Sequence, residues 1–393
     1  MSSKRRSKSK SRPLATSQPI SGHTSILSSF SPDGAFFVII TLAVDKHRLR
    51  LYNTSSARVV GEHTVESSRV SALAWGSIKT DTEVLDTPNK KRKKRKFDSD
   101  TPQNEKRSAE TIDVVVLGLQ DGTISFFSLT SSKIVCTLTH PSSSSSVIAL
   151  ALKTVDTPIL WTSSTDGIVR LWDVQKHEIL SSWHDEDHIP YTTLSLRPTS
   201  DSSQTDVLAG HHHIRLFSDT TLHDPQSTPL QLGSFTGHAS SVMILRWAHT
   251  PAVPRRFFSV AVNDRFVYVW DTVKNSSLPE KPVACVALDS DVRTIGHSSS
   301  DLSRQTLITL SDSGKLSFIP IPESLDAPPR ETKNKIVSLL PRTSVASSSN
   351  PRPLDPIVID IICVPGDSHS VRIARLIKGV KPAFEDIVCS LNS

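Results

Sequence analysis

The feature that most narrows what this chain can become is repetition. One unit recurs along it: a short apolar run, a tight polar turn, a second run ending in an aromatic or bulky residue, another turn and a third run. It reads "DVVVLGLQDGTISFFSLTSSKIVCTLTH", then "TPILWTSSTDGIVRLWDVQKHEILSSWH". It continues through "TDVLAGHHHIRLFSDT", "RRFFSVAVNDRFVYVWDTV" and "RQTLITLSDSGKLSFIPIP". Runs of about five to eight residues bounded by Asp-Gly, Ser-Gly or Asn-Asp are the pattern of antiparallel strands joined by tight hairpins. Helical period is almost absent.

A further strand precedes most copies: "VSALAWGS", "VIALALKT", "YTTLSLRP", "VMILRWAH" and "VRTIGHSS". Four strands every ~40–50 residues is the period of a propeller blade. The fold class expected is therefore all-β, a single seven-bladed propeller over residues 20–389, with blades at 25–64, 70–140, 147–184, 191–238, 242–289, 292–341 and 356–389. A closed ring removes the exposed sheet edges that invite aggregation. The segment Leu14–His23 is placed to pair with the last blade and close it. Three stretches are too polar to bury a core and are expected to be disordered: the basic tail 1–19, an insert at 78–111 between the first and second strands of blade 2, and a loop at 328–356.

Charge supports that division. Of the 45 Lys and Arg, six lie in residues 1–12 and seven in Lys90–Lys96, with no acid in either stretch. The remaining 32 basic residues face 39 acidic ones, so the body is net acidic and the basic pI describes tails and loops. The longest apolar run, "AFFVIITLAV", stops at Asp45, short of the ~18–20 residues a membrane helix needs. The N-terminus lacks the apolar segment of a secretory signal, so a soluble, non-secreted chain is expected, with no membrane partner. Cys136, Cys285, Cys363 and Cys389 are scattered within apolar runs and read as reduced thiols.

Few motifs carry chemistry. The run Lys90, Lys91, Arg92, Lys93, Lys94, Arg95 and Lys96 reads foremost as a nuclear localisation signal recognised by an import receptor. Contact with RNA is compatible with that address, because Lys/Arg runs bind phosphate through counterion release. Lys4, Arg5 and Arg6 open a second cluster of the same kind. In "GHHHIRLF", neighbouring side chains alternate in direction and do not converge on a metal, so His211, His212 and His213 read as turn residues. "WHDEDH", at Trp183–His188, falls where two blades connect and reads as an exposed loop. GxSxG, HExxH and GxxxxGK[ST] are all absent, and Gly numbers only 14. No enzyme, cofactor, metal or small-molecule substrate is expected.

"GIVRLWD" at Gly167–Asp173 and "FVYVWD" at Phe266–Asp271, with "TGH" at Thr236–His238 and "SGH" at Ser21–His23, resemble the WD-repeat family over nearly the whole chain. That resemblance implies blade-stabilising networks. It groups Asp166 with Trp172 and Asp173, and His238 with Asp264, Trp270 and Asp271. Phe127, Phe217 and Phe318 stand in other blades where Trp would be, and His211 stands in place of a turn Asp. "SVRIARLIKGVKPAFEDI" at Ser370–Ile387, with "SPDGAFFVIIT" and the basic insert, is similar to the N-terminal propeller of a WD-repeat subunit of the small-subunit processome. Within it, the likeness is to the transcription-coupled UTP subcomplex and its fungal fifth-UTP type. The family implies a non-catalytic scaffold of the nucleus and nucleolus. Its partners would be other processome WD-repeat proteins and pre-rRNA, and its role would be early processing towards the small-subunit rRNA. The family's helical assembly domain is expected to be absent, residues 390–393 being the C-terminal end. The alternative is a nuclear peptide-reading adaptor in a chromatin or ubiquitin-ligase complex. Replacing Lys90–Lys96 by Ser is expected to leave folding stability within about ±0.5 kcal/mol while nuclear accumulation of the tagged chain falls. Unchanged accumulation would assign import to the N-terminal cluster.

Overall fold

The computed structural model describes residues 27–42, 46–80, 110–153, 158–185, 188–198, 205–219, 228–248, 254–272, 280–301, 304–321, 335–339, 357–364, 367, 370–377 and 381–388. Their strands form seven antiparallel sheets, each built from consecutive segments of the chain: a seven-bladed propeller. Blades 1 to 6 have four strands each, within 27–65, 70–138, 147–184, 193–235, 242–287 and 292–338. Blade 7, within 357–388, has three among the described residues. The segment expected to close the ring, Leu14–His23, lies outside them, as do the tail 1–19 and the run Lys90–Lys96.

Two expected loops are shorter than the sequence suggests. The inner strand of blade 2, Val70–Thr80, pairs with Glu110–Leu119 as far as Thr80 opposite Glu110, so the ladder continues into the stretch read as an insert. Ile78 is buried there. Likewise Lys335–Ser338, inside the stretch 328–356, is the outer strand of blade 6 and leads to buried Leu339. In each, apolar residues in or beside the polar stretch dock on a neighbouring cluster, Ile78 and Ile112 in blade 2 and Val337 and Leu339 in blade 6.

Strand alternation gives each blade two apolar faces, and each face is buried on the next blade. Seven hydrophobic clusters result, one per interface. One of them joins Phe30, Phe37 and Tyr52 of blade 1 to Ala374, Leu376 and Phe384 of blade 7, with the Phe37 and Phe384 ring centroids 5.5 Å apart. A β-bulge recurs between the third and outer strands of blades 1 to 4, at Leu51/Tyr52, Phe126/Phe127, Leu171/Trp172 and Leu216/Phe217. Each time it falls at the large aromatic, re-aiming the ring at the neighbouring blade.

Polar ties cross the same interfaces. Ser71 Oγ donates to Val147 O at 2.5 Å, from blade 2 to blade 3. Thr192 Oγ1 donates to Val242 O at 2.6 Å, from the approach to blade 4 to blade 5, and Arg293 Nη1 to Val358 O at 2.9 Å, from blade 6 to blade 7. Arg197 reaches Pro254 O and Thr272 Oγ1 at 2.8 and 2.7 Å, while its guanidinium stacks on Trp247. Around Glu280 the chain also lies along the outer edge of blade 4, where Glu280 N–H donates to Ser234 O and Thr236 N–H to Glu280 O.

Arg372 closes the ring. It lies in the second strand of blade 7, binds Asp386 through Nε and Nη2, each at 2.7 Å, and donates from Nη1 to Gly34 O at 3.0 Å and Thr54 Oγ1 at 2.9 Å in blade 1. Arg372→Ala should leave two half-buried acceptors of blade 1 without this donor and cost about 2 kcal/mol. Arg48→Ala, removing an exposed pair with Glu62, should cost no more than ~0.5 kcal/mol. Urea unfolding of both variants decides, and equal losses would show that closure does not depend on Arg372.

Candidate functional site on the turn face

The second and third strands of every blade are joined at the same face of the disc from which the chain passes to the next blade. This turn face carries most of the residues singled out in the sequence. The paired ends Thr80 and Glu110, between which the basic run falls in the sequence, lie at the other face.

Blade 5 holds a relay that stops short of its turn Asp, because His238 Nδ1 is buried without a hydrogen-bond partner. Trp270 Nε1 donates to Ser259 Oγ at 2.7 Å, and Ser259 Oγ lies 2.6 Å from His238 Nε2. With the indole as donor, the hydroxyl gives its proton to Nε2, and the imidazole proton rests on Nδ1, facing Asp264 at 4.0 Å. Burial lowers the His238 pKa to about 4 against the opposing pull of Asp264, so the ring is neutral. Asp264 itself accepts the Phe266 N–H at 3.1 Å and fixes the turn.

Blade 3 solves the same problem differently. Trp172 Nε1 donates to Thr162 Oγ1 at 3.2 Å, but Asp166 is held by Arg170 at 2.6 Å and by the Ile168 N–H at 3.0 Å. Burial works against ionisation of Asp166. The Arg170 pair and the Ile168 N–H outweigh it and hold the carboxyl below its usual range. Gly167, at φ +77°, passes so close beneath the His188 carbonyl that any side chain would collide with it.

Two residues placed with these networks by resemblance lie elsewhere. Asp173 and Asp271 sit at the far ends of their strands, on the opposite face. Asp173 Oδ1 accepts the N–H groups of Gln175 and Lys176, both at 3.0 Å, and caps that turn. Asp271 lies 3.7 Å from Arg256 on the adjoining strand. Ser259, Thr162 and Arg170 were missed; the only signal is a hydroxyl four or five residues before the turn Asp. Phe127, Phe217 and Phe318 are buried and replace the indole bond with packing, Phe217 lying 4.4 Å from Trp183.

Four histidines of the turn face form two pairs. His184 stacks on His188 at 3.9 Å, His211 meets His212 at 4.3 Å, and Asp185 is bound by Arg215 at 2.5 Å. Among the described residues no three His, Cys, Asp or Glu side chains converge to hold a metal. Cys136, Cys285 and Cys363 are free thiols, and burial raises Cys136 and Cys363 to about 11.

Neither a family model nor a curated relative matches the chain. Among solved structures, 1304 chains are similar. The structure of U3-55K superposes with a TM-score of 0.55 at 15% identity, covering 91% of this chain and 90% of that one. The crystal structure of the RRP9 WD40 repeats gives 0.54 and 15%, covering 91% and 89%. The fold is the WD40 propeller. At this identity the likeness concerns architecture alone, and the WD40 fold accommodates many unrelated functions.

One buried acid has a measurable signature in this propeller. Asp360, on the inner strand of blade 7, accepts the Ile361 N–H at 2.8 Å and lies 3.5 Å from Thr294 Oγ1 in blade 6. Burial raises its pKa to about 6, against the pull of Arg246 and the N–H groups of Ile361 and Phe30. A carboxyl raised in the folded state favours folding while protonated, so the contribution of Asp360 is largest at and below pH ~4, falls between pH ~4 and ~6 and is flat above. Asp360→Asn should therefore raise the melting temperature at pH 7.5, by an amount equivalent to ~3 kcal/mol at most. The gain should vanish near pH 4. Thermal unfolding of both proteins across that range is the test, and a pH-independent difference would rule out ionisation as the cause.

Proposed function

We propose that this propeller is a non-catalytic nucleolar scaffold in ribosome biogenesis, which helps assemble the small-subunit processome on nascent pre-rRNA and supports early processing towards the small-subunit rRNA. The observation that carries this reading is the separation of its surfaces. A disc of nearly balanced charge, with 24 Lys and Arg against 23 Asp and Glu among the described residues, presents turns and blade connections on one face. The other face bears, on a fully paired hairpin, the segment containing seven consecutive basic residues. Protein partners and phosphate-bearing partners thus have different places to bind.

The rim favours protein contact. Val59, Val60, Val135, Leu230 and Ile336 are exposed on outer strands, where an unpaired edge and an apolar side chain together accept an extended segment of a partner. The likeness of Ser370–Ile387 to the processome subunit supports the narrower assignment, and that segment includes the ring-closing Arg372 and Phe384. Import through Lys90–Lys96 accounts for a nuclear location.

Affinity purification of the tagged chain from growing cells, reading proteins and crosslinked RNA together, tests the proposal. Processome WD-repeat proteins and the leader of the ribosomal RNA precursor are the expected catch. Histones or ubiquitin-ligase subunits in their place would overturn it in favour of a peptide-reading adaptor.

A further inference from the structure

Blades 3 and 5 carry the same polar rung, and their difference leaves a gap that needs filling. Thr162 faces Arg170 across the ladder of blade 3 as Ser259 faces Tyr268 in blade 5. In blade 5 the Tyr268 ring packs edge-on against His238 at 4.6 Å and the imidazole reaches the hydroxyl directly. In blade 3 the corresponding histidine is His140, on the connection from blade 2. Its Nδ1 is turned to its own loop, accepting the Ser142 N–H at 3.1 Å, which leaves Nε2 as the ring's other polar atom.

Arg170 occupies the position of Tyr268 and spends its terminal nitrogens on Asp166. Its Nε–H is buried without a hydrogen-bond partner, and the whole residue is only 5% exposed. A void of about 10 Å³ adjoins it, lined by His140, Ser145, Thr162, Ser164, Arg170 and Trp172. A buried donor left unpaired costs ~1–3 kcal/mol. Ten cubic ångströms of free centre volume is about what a single water requires, provided two to four polar groups surround it.

We propose that blade 3 holds one internal water molecule at this position, bridging Arg170, His140 and Thr162. The water accepts from Arg170 Nε–H and from His140 Nε2–H and donates to Thr162 Oγ1, which is already the acceptor of Trp172. Burial, then the nearby Arg170, lower the His140 pKa against the opposing pull of Asp166, and the Ser142 N–H on Nδ1 places the neutral ring's proton on Nε2. An open cleft of about 370 Å³, lined by Asp121, Thr139 and Ser142–Ser144, shares His140 and Ser143 with the void and gives the water a route to solvent. Blade 3 thereby achieves with a solvent molecule the relay that blade 5 builds from side chains alone.

A high-resolution crystal structure of the full chain should show a single density peak within hydrogen-bond distance of Arg170 Nε. Magnetic relaxation dispersion of the solvent should register it as a long-lived water. Arg170→Tyr, which copies the rung of blade 5, should lose the peak and lower the dispersion amplitude by one water. No peak beside Arg170 Nε in the parent protein, or direct contact of His140 Nε2 with Thr162 Oγ1, would overturn the proposal. So would an unchanged amplitude in folded R170Y. Should that variant not fold, the density of the parent decides alone.

Discussion

Burial of each blade face against the next is the interaction on which the rest of this structure depends. No blade has a core of its own: every hydrophobic cluster joins two neighbours, and there are as many clusters as interfaces. A sheet with one face uncovered would expose a continuous apolar surface, so no subset of blades is a satisfactory stopping point. Circular order is the only arrangement that covers every face. It makes the junction between blades 7 and 1 as necessary as any other, although its parts lie at opposite ends of the chain.

The polar ties follow a different logic from the apolar ones. Ser71, Thr192 and Arg293 are chemically unlike, yet each bridges to a carbonyl of the first or second residue of the next inner strand. A backbone carbonyl is present whatever the residue, so the acceptor places no demand on sequence and any donor of suitable reach suffices. The blade networks behave likewise. An indole bonded to a hydroxyl, a guanidinium holding a turn carboxylate and a packed phenyl ring all set the third strand against its neighbours. Recurrent bulges, not identical side chains, keep the aromatic in place.

Much of this was legible in the chain. Alternating runs and turn residues revealed the strands, and the WD-repeat resemblance pointed to Asp166, Trp172, Asp264, Trp270 and His238, of which His238 lies outside the hairpin, on the connection between blades 4 and 5. Asp173 and Asp271 were misplaced because adjacency to the tryptophan in sequence says nothing about which end of the strand carries the network. Thr162 and Ser259 were invisible because a hydroxyl in a strand is ordinary. Arg372 was unreadable as a tie because its acceptor Gly34 lies 338 positions away, and Asp360 because burial of an acid depends on blades still to come. Lys335–Ser338 was overlooked because its short apolar run, Ile336 and Val337, is set within a long Ser- and Pro-rich stretch.

The paired hairpin beneath the basic insert has an energetic consequence. Thr80 and Glu110 are cross-strand partners, so the two ends of the intervening chain are already held at the spacing of a ladder. Loop-closure entropy grows only logarithmically, and doubling the length of such a segment costs about 0.6 kcal/mol. The propeller is nearly indifferent to how long this insertion is or what it contains. Selection acting on this stretch can therefore lengthen, recharge or rewrite it without renegotiating the stability of the disc that carries it.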